Sequence, residues 1–233
     1  MRATSGNRLL DAVLKAGPAL RAAGSSLALP VGTRVLEVGQ PVEAAYFPLS
    51  GVLSVMIETA AGQSAEALTV GNEGMIGIGV WLGAVRSLET IVQQAPGGVV
   101  AIPAPALRRL QSHRRLRRLM DQFTAYSLRL AYQSAICNAH HSVEQRTCRW
   151  ILTSADRARS NTVAMTQALL AAMLGVRRQS VGEIAVQLQR EGLFEYRRSQ
   201  IRIARRGVLE RRTCVCYQLL RRCYAQLIEP YLD

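Results

Sequence analysis

The chain has 233 residues, of which 49% are hydrophobic and 19% charged, so it is long enough for two small folded domains and is not a disordered segment. Its formal net charge is +13, and that charge is unevenly distributed: residues 1–104 carry −1, residues 105–139 carry +6 and residues 140–233 carry +8. This asymmetry indicates a polyanionic partner for the C-terminal part, because charge that served only solubility would not follow a boundary along the chain.

The N-terminal segment and the cysteines indicate a cytoplasmic protein without a membrane partner. No basic stretch followed by an apolar run resembles a signal peptide, and no window approaches the eighteen apolar residues that span a bilayer. The five cysteines are odd in number, fall in predicted helices and are interpreted as reduced thiols: Cys137, Cys148, Cys214, Cys216 and Cys223. Helix positions two apart diverge by about 200°, so Cys214 and Cys216 are not expected to share a metal, and no metal site or cofactor is predicted.

Residues 1–23 are predicted to form a helical cap, and antiparallel β structure follows up to residue 103. Short apolar runs alternate there with turn residues, in segments 35–38, 44–47, 52–57, 65–70, 90–94 and 99–102. Many short strands of this kind predict a sandwich or rolled barrel. The expected fold class is therefore α+β, with an N-terminal antiparallel β-roll of the jelly-roll type.

A long amphipathic helix is predicted over about residues 113–138. Two neighbouring lines of side chains recur along it every seven residues: Leu116, Phe123, Leu130 and Cys137 on one line, Met120, Ser127 and Ser134 on the other. A heptad seam on a helix that joins two domains favours a parallel dimer contact. Packing of this face on the chain's own β domain is the alternative.

Residues 167–191 have the spacing of a helix-turn-helix, after a hinge at His140-His141 and a helix over residues 143–158. The apolar positions of both helices follow the helical period: Leu170, Ala171 and Leu174, then Val181, Ile184, Ala185 and Leu188. Gly175 between them supplies the left-handed backbone that ends a helix. Two short strands around Arg197-Arg198-Ser199 predict a β-hairpin, or wing, and residues 208–227 predict a last helix.

The order of β-roll, connecting helix and winged helix-turn-helix resembles the Crp/Fnr family of bacterial transcription regulators. The resemblance covers nearly the whole chain and is carried by segments 46–52, 70–77 and 165–193. It implies a sensor domain like a cyclic-nucleotide-binding domain over residues 1–139 and a DNA-binding domain over 140–233. It also implies a homodimer that reads a palindromic double-stranded DNA operator, with RNA polymerase as a further partner.

The resemblance assigns the DNA contacts residue by residue, with a recognition helix over residues 177–191. Arg178, Gln179 and Glu183 fall where base edges are read, and an Arg can bind guanine O6 and N7 in bidentate fashion. The remaining contacts are at the start of that helix or face phosphates: Arg177, Ser180, Thr166, Gln167, Arg197, Arg198 and Arg202. Glu183 stands where the cyclic-AMP-responsive members have Arg, so a different operator is expected.

The candidate effector pocket departs from the family's cyclic-AMP pattern. Its residues are Gly77, Ile78, Arg86, Ser87, Tyr126 and Ser127. Ile78 stands where the family has the Glu that accepts a ribose hydrogen bond, so an effector other than cyclic AMP is expected. No cysteine precedes Cys137, so the iron–sulfur cluster of the oxygen-sensing members is not expected either.

Two other classes of function compete with DNA binding. A metal-dependent enzyme inside the barrel is disfavoured, because the first histidine is His113, beyond the last predicted strand. The alternative is a β-roll interaction module or ligand-binding protein whose basic helices bind acidic partners, and six Arg between residues 108 and 118 are suited to that role. Survival of binding in the presence of competitor DNA separates the two.

Overall fold

The computed structural model of the chain describes residues 5–58 and 64–232, with the side chain of Ser64 excepted. Within this part the N-terminal cap consists of α1 (Arg8–Ala16) and α2 (Leu20–Ala23). The side chain of Asn7 caps α1 by accepting a hydrogen bond from the Leu10 N–H, and its amide donates to the carbonyls of Pro48 and Gly74 at 2.8 and 2.7 Å. One buried side chain therefore starts the helix and holds it on the β domain. Residues 1–4 of the expected cap lie outside the described residues.

Seven strands form the predicted β-roll. They are β1 (Ser25–Leu29), β2 (Arg34–Leu36), β3 (Ala44–Pro48), β4 (Val52–Glu58), β5 (Ser64–Val70), β6 (Thr90–Ala95) and β7 (Gly97–Pro103). All pairings are antiparallel, in two sheets of order β1-β7-β3 and β2-β6-β4-β5. The facing sheets bury Phe47, Leu53, Ile91 and Ile102, none of which is exposed. Short helices α3 (Ile78–Trp81) and α4 (Ala104–Arg108) and a 3-10 turn (Arg109–Ser112) complete this domain.

The long helix is α5 (Arg114–His140). The heptad seam that the sequence predicts on it faces the interior of the chain. Leu116, Met120, Phe123, Leu130 and Cys137 are all buried within the single chain. The Phe123 ring lies against Gly74 so closely that a Cβ there would come within 2.4 Å of it. The hydroxyl of Ser127 donates to the Phe123 carbonyl at 2.8 Å. The prediction of a dimer contact through this seam is therefore wrong for these residues, because the β-roll and the C-terminal helix already cover them; the alternative, packing within the chain, is what forms.

The C-terminal part contains the predicted helix-turn-helix and wing. Its elements are α6 (Val143–Ala158), β8 (Thr162–Ala164), α7 (Gln167–Leu174), α8 (Arg178–Arg190), β9 (Phe194–Arg197), β10 (Gln200–Ile203), α9 (Arg206–Arg212) and α10 (Cys216–Leu227), followed by a 3-10 turn (Glu229–Tyr231). The unpredicted β8 adds a third strand to the hairpin, in the order β8-β10-β9. No helix within the described ranges combines the length and apolarity that a membrane span requires.

The single last helix expected over residues 208–227 is instead two helices. Thr213 is extended, with φ −78° and ψ 163°, and ends α9, and Cys214 turns inward before α10 begins at Cys216. In one continuous helix the side chains of Cys214 and Cys216 would diverge by about 200° and could not share a metal. That divergence does not hold in this chain, because only Cys216 lies in a helix.

The β-roll and the C-terminal part are joined by polar contacts that cross their junction. The Arg157 guanidinium of α6 lies 2.7 Å from the Glu73 carboxylate, and both side chains are largely buried. The Tyr224 hydroxyl of α10 donates to the Glu73 carbonyl at 2.9 Å. Nearby, the carboxylate of Glu66 on β5 accepts hydrogen bonds from Ser54 and from the indole N–H of Trp150 on α6.

The junction is expected to make stability depend on pH through Glu66. Burial of this carboxylate raises its pKa above the ordinary glutamate value. The folded chain thus holds the proton to a higher pH than the unfolded chain, so the stability linked to this proton is complete below the ordinary pKa and is lost as the pH rises through the raised value. Glu66→Gln, which cannot ionise, should become progressively more stable than the parent protein as the pH rises from about 4, near the ordinary glutamate pKa, towards neutrality.

Urea unfolding across that pH range measures the difference. The matched control is Glu58→Gln on the neighbouring strand, whose exposed carboxylate faces Arg34 at 3.3 Å and whose loss should change stability by less than about 1 kcal/mol. A Glu66→Gln protein that loses stability relative to the parent as the pH rises would contradict the prediction.

Candidate nucleic-acid interface

The turn of the helix-turn-helix is held by capped helix ends and a buried contact between α7 and α8. The Thr166 hydroxyl caps α7 by accepting from the Leu169 N–H at 3.1 Å. Gly175 ends α7 with φ +61° and ψ 40°, a left-handed conformation that favours glycine. Beyond the turn, the helices bury the apolar positions that the sequence predicts, namely Leu170, Ala171, Leu174, Val181, Ala185 and Leu188. Ile184 lies at the edge of this contact and is half-buried.

The N-terminal half of α8 presents the predicted base-reading residues to solvent. Arg177 is extended and the helix begins at Arg178. Arg177, Arg178, Gln179 and Glu183 are exposed, and Ser180 is half-buried. The Gln179 amide donates to the Glu183 carboxylate at 2.9 Å, so these two exposed side chains form a hydrogen-bonded pair on the helix surface.

A shallow groove along α8 includes Gly182 and two side chains, those of Val186 and Arg190, that the sequence did not indicate as DNA contacts. It is lined by Gln167, Arg178, Gln179, Gly182, Glu183, Val186 and Arg190. Val186 and Arg190 follow Glu183 by three and seven residues, so the helical period would have placed them on the same face. An exposed valine on such a face can contact a thymine methyl, and an arginine a phosphate.

The wing places Arg198 at a tight turn. Arg197 and Gln200 are paired across the hairpin, and the two residues between them have φ of 47° and 62°, as a type I′ turn requires. The Tyr196 hydroxyl donates to the Met165 carbonyl at 3.0 Å and so fixes the wing beside the helix-turn-helix. Arg197 and Arg198 are exposed, whereas Arg202 already faces Glu195 across the strands at 3.4 Å.

The comparisons with known proteins agree with this geometry. Residues 145–212 match the family described as the Crp-like helix-turn-helix domain. A search of curated proteins gives no match. Among solved structures, FixK2 from Bradyrhizobium japonicum superimposes with a TM-score of 0.71 at 15% identity, over 82% of this chain and 98% of that one. The c-di-GMP-responsive regulator CLP of Xanthomonas campestris gives 0.65 at 17% identity, over 81% and 98%.

A Crp/Fnr-family transcriptional regulator from Thermus thermophilus gives a TM-score of 0.59 at 18% identity, over 80% of this chain and 97% of that one. The C-terminal part is thus a Crp-like helix-turn-helix domain. The chain as a whole has the fold of its Crp/Fnr structural neighbours, so the resemblance expected from the sequence is confirmed. The match to the Crp-like helix-turn-helix domain supports a DNA-binding transcription regulator.

The candidate effector residues of this Crp/Fnr fold divide between two places. A cavity of about 290 Å³ brings together Gly77, Ile78, Arg86 and Ser87 beside apolar side chains of the β-roll. Tyr126 and Ser127 of α5 do not line it; Tyr126 instead lies against the ring of Tyr224, with 5.3 Å between the ring centroids. The six residues therefore do not form one pocket.

Three polar residues line the cavity, Arg86, Ser87 and Glu89, and the side chains of the first two are already bonded to nearby backbone. The Arg86 guanidinium donates to the Gly39 carbonyl at 2.8 Å, and the Ser87 hydroxyl donates to the Glu89 carbonyl at 2.8 Å. These bonds close the loop around residues 82–90. They favour a structural role of Arg86 and Ser87 over the binding of a cyclic phosphate. Apart from Glu89, the rest of the cavity lining is apolar or glycine and includes Ile78.

Cyclic AMP is therefore expected not to bind at this cavity and not to raise DNA affinity. Ile78 offers no acceptor for the ribose hydroxyl, and an unpaired hydroxyl in an apolar site costs binding free energy. Calorimetric titration of the nucleotide, together with operator titrations in its presence and absence, checks this. A saturable heat accompanied by tighter DNA binding would contradict it.

Proposed function

We propose that the chain is a homodimeric, sequence-specific transcription regulator that reads a palindromic DNA operator with α8. The observation that carries the proposal is the exposed first turn of α8 beyond a glycine-ended α7, with the wing fixed beside it. A helix presented in this way can enter the major groove with its N-terminal side chains at the base edges. Such a regulator would act in the cytoplasm, would have no catalytic role of its own and could contact RNA polymerase.

Arg178 is the residue best placed to read a base. It is exposed at the first position of α8 and makes no ion pair with any described residue. An unpaired guanidinium loses no protein contact when it binds guanine, unlike Arg202, which would have to leave Glu195. Gln179 and Glu183 follow on the same face and can bind adenine and cytosine. Thr166 and Gln167 at the start of α7, with Arg197 and Arg198 of the wing, are suited to phosphates.

The dimer contact is proposed on the opposite face of α5 from the seam. There Leu128, Tyr132 and Ile136 are 51%, 65% and 49% exposed, although they are large and apolar. With Ala125, Ala135 and Ala139 they form a stripe in which residues 125, 128, 132, 135 and 139 alternate steps of three and four, as in a coiled coil. The alanines allow two helices to approach closely along this stripe.

The acidic-partner alternative depends on the arginines of residues 108–118. Arg108 is engaged in the chain, since it donates to the carbonyls of Val80 and Ala84 at 3.1 and 2.8 Å. The other five remain exposed: Arg109, Arg114, Arg115, Arg117 and Arg118. A general basic surface would lose DNA to an excess of unrelated competitor, whereas operator binding would persist.

The first test compares two arginines on DNA selected by the purified protein from fragmented genomic DNA. The selected sequences should contain two half-sites about one helical turn apart. Arg178→Ala should relax one base position and lose about 1–3 kcal/mol of discrimination there. Arg198→Gly, which suits the left-handed turn, should weaken all DNA alike and reduce the salt slope by about one.

Fluorescence anisotropy across salt concentrations measures both effects. Arg21→Ala, an exposed arginine on α2, is the matched control and should leave DNA binding unchanged. The proposal of base reading fails if Arg178→Ala retains full affinity and full discrimination.

The second test addresses the dimer. Leu128→Glu should place two carboxylates in an apolar contact and dissociate the dimer to monomers in sedimentation equilibrium. Leu88→Glu makes the same change at a leucine that is 83% exposed on the β-roll, and the mass should not change. A Leu128→Glu protein that keeps the mass of the parent dimer would place the contact elsewhere.

A further inference from the structure

Four potential metal ligands converge where α5 ends and α10 begins. They are Cys137 and His141 at the end of α5, and Cys214 and Cys216 on either side of the start of α10. One ligand atom from each lies within 4.8 Å of all the others, and the three cysteines are buried. We call these four residues the thiol–imidazole cluster. The two halves of the cluster come from segments 77 residues apart in the chain. Apolar packing alone would not require the sulfur and nitrogen atoms of all four side chains to meet at one point.

The distances within the cluster fit a single tetrahedral ion. The Sγ atoms of Cys137 and Cys214 are 3.6 Å apart, and the Sγ of Cys216 is 3.5 Å from the Nδ1 of His141. Zinc bonds of about 2.3 Å to sulfur and 2.0–2.1 Å to nitrogen, in tetrahedral geometry, separate neighbouring ligand atoms by about 3.6–3.8 Å. Two of the six distances between ligand atoms thus match a zinc site, and the others, all within 4.8 Å, would have to shorten by about 1 Å at most.

Other uses of the same residues fit less well. A disulfide requires a sulfur–sulfur bond of about 2.05 Å, so Cys137 and Cys214 are too far apart for one as they stand. A [4Fe–4S] cluster would have to place four irons and four sulfides among its ligands, and atoms within 4.8 Å of one another leave no room for it. Three thiolates and an imidazole are, by contrast, a common closed set for structural zinc.

The surroundings of the cluster suit an anionic metal centre. The Gln133 amide donates to the Sγ of Cys216 at 2.9 Å, a contact that orients and stabilises a thiolate. The guanidinium of Arg149 on α6 is close enough to Cys137 and Cys214 to interact with them electrostatically. The buried Nε of Arg149 has no hydrogen-bond partner in the described part of the chain. Zinc with three thiolates carries one negative charge, which this arginine would offset.

We propose that Cys137, His141, Cys214 and Cys216 bind one structural Zn²⁺ ion. Binding replaces three thiol protons with three Zn–S bonds and releases those protons to solvent, and no electron is transferred. The ion would join the two ends of the segment 142–213, which contains the whole helix-turn-helix and wing. It would thereby hold α10 on α5 and the DNA-binding domain at both of its ends.

The first experiment uses the full chain, purified under reducing conditions without chelator or affinity metal. Elemental analysis should find about one zinc per chain. Replacement of the zinc by Co²⁺ should give intense visible d–d bands of a tetrahedral site and sulfur-to-cobalt charge transfer. Absence of bound zinc even after dialysis against Zn²⁺, an octahedral cobalt spectrum, or absorption from an iron–sulfur cluster would each overturn the proposal.

The second experiment tests the ligands individually. Cys214→Ser and His141→Ala should lose the stoichiometric zinc, whereas Cys223→Ser, on the same helix but outside the cluster, should retain it. Far-UV circular dichroism shows which variants are folded. Gln133→Leu keeps all four ligands and should weaken zinc about 10–100-fold in competition with a chromogenic chelator.

The outcomes of this second experiment separate a metal site from ordinary packing. If Cys214→Ser and Cys223→Ser retain zinc equally, the ligand assignment is wrong. If Gln133→Leu binds zinc as tightly as the parent, the role given to Gln133 in stabilising the Cys216 thiolate is wrong. A Cys137–Cys214 disulfide found by mass spectrometry in the freshly purified protein would also overturn it. If the ligand variants do not fold, the zinc content and cobalt spectrum of the parent protein still decide the question.

Discussion

The packing of Phe123 against Gly74 fixes the side of α5 on which the rest of the chain is built. A Cβ at Gly74 would approach the Phe123 ring to 2.4 Å, so helix and β-roll meet there with no space to spare. Overpacking of such a contact typically costs about 1–3 kcal/mol. Because this contact holds one face of α5 on the sheet, the same face continues past the β-roll to receive Tyr224 of α10 and, at its end, Cys214.

The division of α5 into two faces also explains why local patterns were predicted well and the dimer seam was not. The helix-turn-helix depends on contacts within about twenty residues, so Gly175 and the apolar positions around it specify it locally. The heptad repeat of α5 exists on both faces. Residues 116, 123, 130 and 137 follow it, and so do 125, 132 and 139, and a repeat alone does not say which face meets the chain's own sheet. The more hydrophobic line was buried within the chain, and the stripe with alanines was left outside.

The thiol–imidazole cluster could not be predicted for a different reason. Its halves are separated by the whole DNA-binding domain, and its geometry depends on a helix break at Thr213 that the apolar pattern of residues 208–227 conceals. The grouping of the candidate effector residues into one pocket failed for a similar reason. Tyr126 and Ser127 resemble pocket residues in sequence, but the C-terminal helix that returns to α5 covers Tyr126, and its ring packs on Tyr224. In both cases the missing information was the path of the last twenty residues.

The junction between the domains combines contacts of unequal strength, and this decides where movement can occur. The Glu73–Arg157 pair is largely buried, and breaking such a pair costs about 3–5 kcal/mol, because it leaves a charge without its partner. Effector coupling in allosteric proteins typically amounts to about 1–3 kcal/mol. An effector at the cavity beside Gly77, only four residues from Glu73, therefore supplies too little free energy to separate this pair. Any reorientation of the DNA-binding domain has to keep Glu73 and Arg157 together and break weaker junction contacts, such as the half-exposed pair of Arg8 on α1 with Glu229 after α10.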